Sequence, residues 1–287
     1  MKRPNLLATK YGRLTTFFFL YLTEGIPLGF VATAVAATLR RQGVGPAEVN
    51  AFVGSFYLPW SFKFVVGPIV DVFSSNRFGR RRLWIVLTQS MMVLTLLTTV
   101  GVNLPAQLKL FTILLLVHNA FAATQDVAID ALAVGVLPEH ERGLANGVMF
   151  AAAYLGQAVG GSAVLAMMGT LGFGGSVVFV AACIASVTLL VALPMREPAE
   201  ERARRIGSGL RAVWQEIRTF GVDTYHAIFG SRPAFVGLLF ALFPAGPMAL
   251  GLALQTSLAV EIGLDDHAIA KLALWSTILS AGGCVAG

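Results

Sequence analysis

Gly67-Pro-Ile-Val-Asp71-Val-Phe-Ser-Ser-Asn-Arg77-Phe-Gly79-Arg80-Arg81-Arg82 separates two apolar runs, 48–70 and 83–102. The first run holds one charge in its interior, Lys63, and the second holds none. About 20 apolar residues in a helix cross the roughly 30 Å of hydrocarbon in a bilayer. An apolar run, a short arginine-rich loop and a second apolar run therefore read as two membrane helices joined on one side of the membrane.

The same pattern repeats outward in both directions. Runs at 14–38, 108–132, 143–168, 173–194, 234–258 and 268–287 complete a set of eight predicted spans. Of the 287 residues, 56% are hydrophobic and 13% charged. Soluble domains carry about 25% charged residues, so one aqueous core cannot absorb this composition. In lipid only helices and closed barrels satisfy every backbone polar group, and barrel strands are about half this length. The fold class is therefore all-α membrane protein. Cys183 and Cys284 sit in apolar runs and read as small core residues.

Basic residues fix the expected orientation. They precede the first span (Lys2, Arg3, Lys10, Arg13), fill the 77–82 loop, follow span four (Arg142) and crowd the stretch after span six from Arg196 to Arg232. The alternate loops hold Arg40, Arg41, Lys109 and Lys271. Positive charge stays inside, so the N-terminus is expected to be cytoplasmic. The net charge of +6 then reports topology, and no nucleic-acid partner is expected. Residues 195–232 are the long polar stretch, dividing six spans from two. Leu210, Val213, Trp214, Ile217 and Phe220 share a helical spacing there, which predicts an amphipathic connector helix. The expected divisions are 1–194, 195–232 and 233–287. The last apolar run reaches Gly287 without a polar flank, which raises the expectation that further spans follow.

The quoted loop resembles the cytoplasmic loop motif of the major facilitator superfamily: glycine, three residues, aspartate, then arginine, glycine and a basic cluster. In this chain those are Gly67, Asp71, Arg77, Gly79, Arg80 and Arg81, with an insertion after Asp71. Physically, the glycine is expected to let helices approach, the aspartate to cap or pair, and the arginines to hold anionic headgroups. Phe62-Lys63-Phe64, Thr88-Gln89, Gly25-Ile-Pro27-Leu-Gly29, Thr124-Gln125-Asp126-Val-Ala-Ile-Asp130 and Glu141-Arg142-Gly143 narrow the resemblance. It is similar there to the muropeptide permeases (AmpG-like) and to the acetyl-coenzyme A transporters. The chain departs from the permease pattern at Tyr154-Leu155-Gly156 and at Leu242-Phe243-Pro244-Ala245-Gly246, which leaves the solute open. Glu24 before Gly25 leans towards the acetyl-coenzyme A branch.

The resemblance implies a major facilitator fold: a six-helix N-terminal bundle, then the first two helices of a C-terminal bundle. It implies a secondary transporter working by alternating access, whose partners are the bilayer, a small solute and H+, with no obligate protein partner. A muropeptide-like fragment, acetyl-coenzyme A or another organic anion fits as cargo. A non-transporting membrane scaffold is the reading from another class. No phosphate-cradling loop, nucleophile set or metal-ligand cluster is visible, so neither an enzyme nor a cofactor is expected.

Four charges fall inside predicted spans: Glu24, Lys63, Asp126 and Asp130. A central charge costs about 2.5–3.5 kcal/mol on insertion scales, so such residues face a cavity or a partner. Counted at 1.5 Å per residue, Lys63 and Asp130 both lie about 12 Å from the cytoplasmic face, which predicts a Lys63–Asp130 ion pair. Asp126 is one turn deeper and, with Glu24, falls near the midplane. Glu24, Asp126 and Asp130 are the candidates for proton coupling, with purely structural hydrogen bonding as the other reading. His118 and Gln125 share a face of span four, and with Tyr154 and Gln157 on span five they are candidate solute contacts. Gly156-x-x-x-Gly160 reads as a packing face.

Overall fold

The computed structural model describes residues 5–72, 78–198, 210–236 and 245–286. Among them, four helical stretches are long and apolar enough to cross a membrane: Lys10–Arg41, Leu108–Val136, Glu139–Ala192 and Asp266–Ala286. The third has 54 residues, far more than one crossing needs. It turns back at Gly172, whose φ of 66° and ψ of 176° no helix contains. It therefore supplies two crossings, 139–171 and 173–192.

In chain order the helices are α1 (Lys10–Arg41), α2 (Pro46–Ser55), α3 (Lys63–Val72), α4 (Arg80–Leu97), α5 (Leu108–Val136), α6 (139–171), α7 (173–192), α8 (Leu210–Phe229), α9 (Ala245–Glu261) and α10 (Asp266–Ala286). α1 runs along α6, α4 packs between α5 and α7, and α3 lies on α5. α9 crosses α2 and the far end of α1, while α10 lies along α6. The chain is inside-out relative to a soluble protein. Leu94, Leu110, Leu189 and Leu190 face outward, while Thr23, Gln89, His118, Gln125 and Asp126 are buried. That distribution suits a lipid surround.

Glycine makes the α1–α6 contact possible. A Cβ on Gly160 would stand 1.8 Å from the Ile26 carbonyl oxygen, and one on Gly25 would stand 1.9 Å from that of Ala153. The Gly156/Gly160 spacing thus brings two backbones together, as in small-residue membrane packing. Beside this seam both helices widen into π turns, at Phe30–Val35 and Ala158–Ala163. In α1 that turn follows Pro27, which cannot donate to the helix ladder.

The 48–70 run predicts one helix, and the structure breaks it in two. α2 stops at Ser55, Leu58–Phe62 forms a 3-10 turn, and α3 begins at Lys63. Pro59 lacks an N–H and disfavours a helical residue before it. The break frees the Phe56 carbonyl, because the Trp60 N–H bonds to Tyr57 instead. The Asn119 amide of α5 donates to that carbonyl, and Asn119 Oδ1 accepts from Trp60 Nε1 at 3.1 Å. The buried backbone is thereby satisfied without water. Leu210–Phe229 forms the helix expected of the connector. The expected span 234–258 is described as helix at 234–236 and from Ala245 onward, and its residues 237–244 lie outside the described residues.

Candidate functional site

Polar side chains gather where α1, α3 and α5 meet. Lys63 opens α3 just after the Pro59 break, and its ammonium pairs with the Asp126 carboxylate of α5. The ammonium also lies 4.1 Å from the centre of the Trp60 ring, within cation–π range. Asp130 accepts a hydrogen bond from the Tyr21 hydroxyl of α1 at 2.5 Å. This corrects the expected Lys63–Asp130 pair. The two aspartates are one turn apart on one face, both within reach of a long lysine, and Tyr21 engages Asp130. Asp126 takes the lysine.

Glu24 stands in α1 within electrostatic range of Lys63 and Asp130 and beside Gln125. Among the described residues its buried Oε1 has no hydrogen-bond partner, and neither has Oε1 of Gln125. The structure thus brings Glu24, Lys63, Asp126 and Asp130 into one cluster, three carboxyls around one cation.

Above it lies a polar knot that sequence reading missed. Thr23 Oγ1 accepts from Gln89 Nε2 at 3.2 Å and Gln125 Nε2 at 3.0 Å, and it donates to the Leu20 carbonyl at 2.6 Å. Gln89 Oε1 accepts from the Thr188 hydroxyl at 2.9 Å. The knot ties α1, α4, α5 and α7, and in lipid such bonds act as interhelical glue. Gln125, expected among solute contacts, is wholly buried in it. His118 is also 0% exposed, with Nδ1 3.0 Å from the Met92 carbonyl and 3.3 Å from Thr95 Oγ1. It ties α5 to α4 and does not reach an open surface.

Tyr154 and Gln157 remain half-exposed on α6. Gln157 lines a small cleft of about 50 Å³ in which Thr33 of α1, Gln255 and Thr256 of α9, and Ser276 and Thr277 of α10 alternate with Ala259, Ile269, Leu272 and Ala273, so that its surface is more apolar than polar. This cleft lies between the first helices and the last two, apart from the carboxyl cluster.

The arginine-rich loop works differently from expectation. Gly79, at φ 96°, starts α4, and the Glu197 carboxylate accepts from the backbone N–H groups of Arg80 and Arg81, each at 2.8 Å, and of Arg82. A carboxylate from beyond α7 thus caps the positive end of α4. Arg80 and Arg81 are buried, and Arg81 Nη1 donates to the Val70 carbonyl at 3.1 Å. The expected headgroup contact gives way, for these two, to contacts within the protein. Among the described residues a Cβ on Gly67 would meet nothing within 4 Å, so close approach to a described helix does not account for that glycine. Asp71 ends α3 in helical backbone, and Arg77 lies outside the described residues.

A second tie on this face was hidden in the positive-inside count. Arg13 of α1 grips Glu141 of α6 through Nε at 2.9 Å and Nη2 at 2.7 and 2.8 Å. Glu141 is 4% exposed. The Arg13 hydrogen bonds, helped by the charges of Arg13, His140 and Lys10, hold its carboxyl below the usual range against the opposing pull of burial.

A bundle of apolar helices long enough to cross a membrane, with charged groups buried inside it, defines the class of multi-pass membrane protein. Residues 14–287 match the Major Facilitator Superfamily, and the chain belongs to that family. It is 25% identical over 273 residues to a Haemophilus influenzae protein of no stated activity, covering 93% of this chain and 63% of that one. It is 25% identical to a proposed transporter named AmpG 4 of Rickettsia conorii, over 96% of this chain and 67% of that one. The anhydromuropeptide permease of Escherichia coli is 28% identical over 155 residues, 53% of this chain and 31% of the permease. The chain thus spans about two thirds of the first two relatives.

Proposed function

We propose that the protein is a proton-coupled secondary transporter moving muropeptide-like cell-wall fragments, or a related amphiphilic solute, across the inner membrane. Its N-terminus is cytoplasmic, and residues 1–194 form one rocking half joined by the 195–232 connector to a second half. The observation that carries this reading is the cluster of Glu24, Asp126 and Asp130 around Lys63. Three ionised carboxyls and one ammonium would leave two uncompensated charges in a medium that penalises each strongly. Lys63 compensates Asp126, and Tyr21 donates to Asp130. Glu24 is left with one buried oxygen that has no partner among the described residues. A proton on Glu24 removes the charge that neither Lys63 nor Tyr21 compensates, so Glu24 is the site where a proton boards. The cargo rests on the names of the AmpG-type relatives.

Uptake into pH-jumped proteoliposomes, with labelled anhydromuropeptide and acetyl-coenzyme A offered in parallel, tests the proposal. Accumulation of anhydromuropeptide that a protonophore abolishes is the expected result. Accumulation of acetyl-coenzyme A alone overturns the cargo, and accumulation indifferent to the protonophore overturns the coupling.

A further inference from the structure

The broken second span meets α5 through two contacts in parallel. Asn119 and Asp126 lie seven residues apart on α5, hence on one face and about 10.5 Å apart along it. Trp60 in the 3-10 turn bonds to Asn119, and Lys63 at the start of α3 pairs with Asp126. Three residues of 3-10 turn rise only about 6 Å, so the Lys63 side chain leans towards the later turns of α5 to reach its partner. Leaning one helical turn further, about 6 Å, brings it to Asp130. Glu24 of α1 is within its electrostatic range as well. Charge alone therefore does not choose among the three carboxyls.

The Trp60 ring supplies the choice. Its centre lies 4.1 Å from the ammonium, and because it precedes Lys63 it draws the lysine head back from Asp130. The ring is itself fixed. Its Nε1 donates to Asn119 Oδ1 at 3.1 Å, and the Asn119 amide donates to the Phe56 carbonyl that the break sets free. Asn119 is 1% exposed, so both bonds are made away from water, where neither is easily given up. With its edge bonded to an amide and its face against an ammonium, the indole is held in one orientation.

We propose that Trp60, held by Asn119, is a positioning residue that keeps Lys63 on Asp126 and off Glu24 and Asp130. The inference rests on the coupling reading above, in which Glu24 takes up a proton because no cation compensates it. A lysine free to move to Glu24 would hold that carboxyl ionised and remove the proton site. A cation–π contact out of water is strong enough to shift such a choice severalfold.

Fluorinated tryptophan separates this role from packing. Fluorine draws electrons from the ring face that attracts a cation, while the ring keeps its shape and its N–H. With Trp84, Trp214 and Trp275 changed to phenylalanine, Trp60 is the sole tryptophan and can be exchanged for its trifluorinated form. The thermal midpoint in detergent is then compared for Asp126→Asn and Asp130→Asn, with and without fluorine. The loss caused by Asp126→Asn should shrink about twofold on fluorination, and that caused by Asp130→Asn should grow by a similar factor. Losses unchanged by fluorine would overturn the proposal, because a ring that only packs or donates its N–H is untouched. Asn119→Leu in the unmodified background should move both losses in the same directions, and losses that stay put there would remove Asn119 from the role. These midpoints need neither solute nor gradient, so they judge the position of Lys63 separately from the coupling reading. In proteoliposomes under a pH gradient the fluorinated protein should accumulate anhydromuropeptide about two- to fivefold less, with equilibrium exchange kept. Accumulation equal to that of the unfluorinated protein would overturn the link from Trp60 to the proton site.

Discussion

Lys63 and Asp126 meet in a place where neither is comfortable alone. Asp126 is 4% exposed and the Lys63 side chain 29%, so losing one partner strands the other in low dielectric. Breaking a buried pair costs about 3–5 kcal/mol, whereas replacing both members with apolar groups is often neutral. Asp126→Asn should lower the thermal midpoint in detergent by several degrees, and Lys63→Met with Asp126→Leu should recover most of it. If the single and double variants unfold alike, the pair is not what holds α3 to α5. That a lysine of span two meets an aspartate of span four was legible from residue counting alone. The choice between Asp126 and Asp130 was not, because it depends on a hydroxyl from another helix, Tyr21, whose position no spacing in the sequence records. Thr23 was invisible for a similar reason. A lone threonine in an apolar run looks like helix interior until glutamines from two other helices converge on it.

Helices in this bundle are held in register by contacts at their ends, by the polar knot around Thr23, and by close glycine contacts such as the α1–α6 seam. Gly160→Ala would push a methyl into the Ile26 carbonyl, and overpacking of this kind costs about 1–3 kcal/mol. The expected result is a lowered midpoint, with Gly169→Ala, which meets open space, as the neutral comparison. Equal behaviour of the two would mean that α1 and α6 are not closely seated. At the cytoplasmic end in the proposed orientation, Glu141 has a lowered pKa in the folded state, through its bonds from Arg13. A depressed carboxyl contributes stability that is present above its unfolded value, about 4.3, and is lost as pH falls through the lower folded value. Acid unfolding followed below pH 5 should therefore start at the same pH in Glu141→Gln but with a shallower fall. A profile as steep as that of the unmodified protein would remove Glu141 from the acid response. The long elements were readable because apolar length sets a membrane helix. The break at Pro59 was concealed, since apolar residues continue on both sides and length alone does not register a missing N–H.

At the scale of the molecule, two chemistries occupy two places. Charged groups lie between α1, α3 and α5, while the cleft between α1, α6, α9 and α10 mixes neutral hydroxyls and amides with apolar side chains. The family loop was legible as a motif, yet its partner Glu197 was not, because it sits some 115 residues away in a stretch that reads as a plain connector. The central claim is that Glu24 carries the proton, and Glu24→Gln isolates it, since the amide keeps the shape and cannot ionise. Two assays on proteoliposomes of this variant form the most direct measurement: accumulation of anhydromuropeptide driven by a pH gradient, and exchange of labelled for unlabelled solute at equilibrium. Loss of accumulation with exchange retained is the predicted result. Accumulation equal to that of the unmodified protein would contradict it.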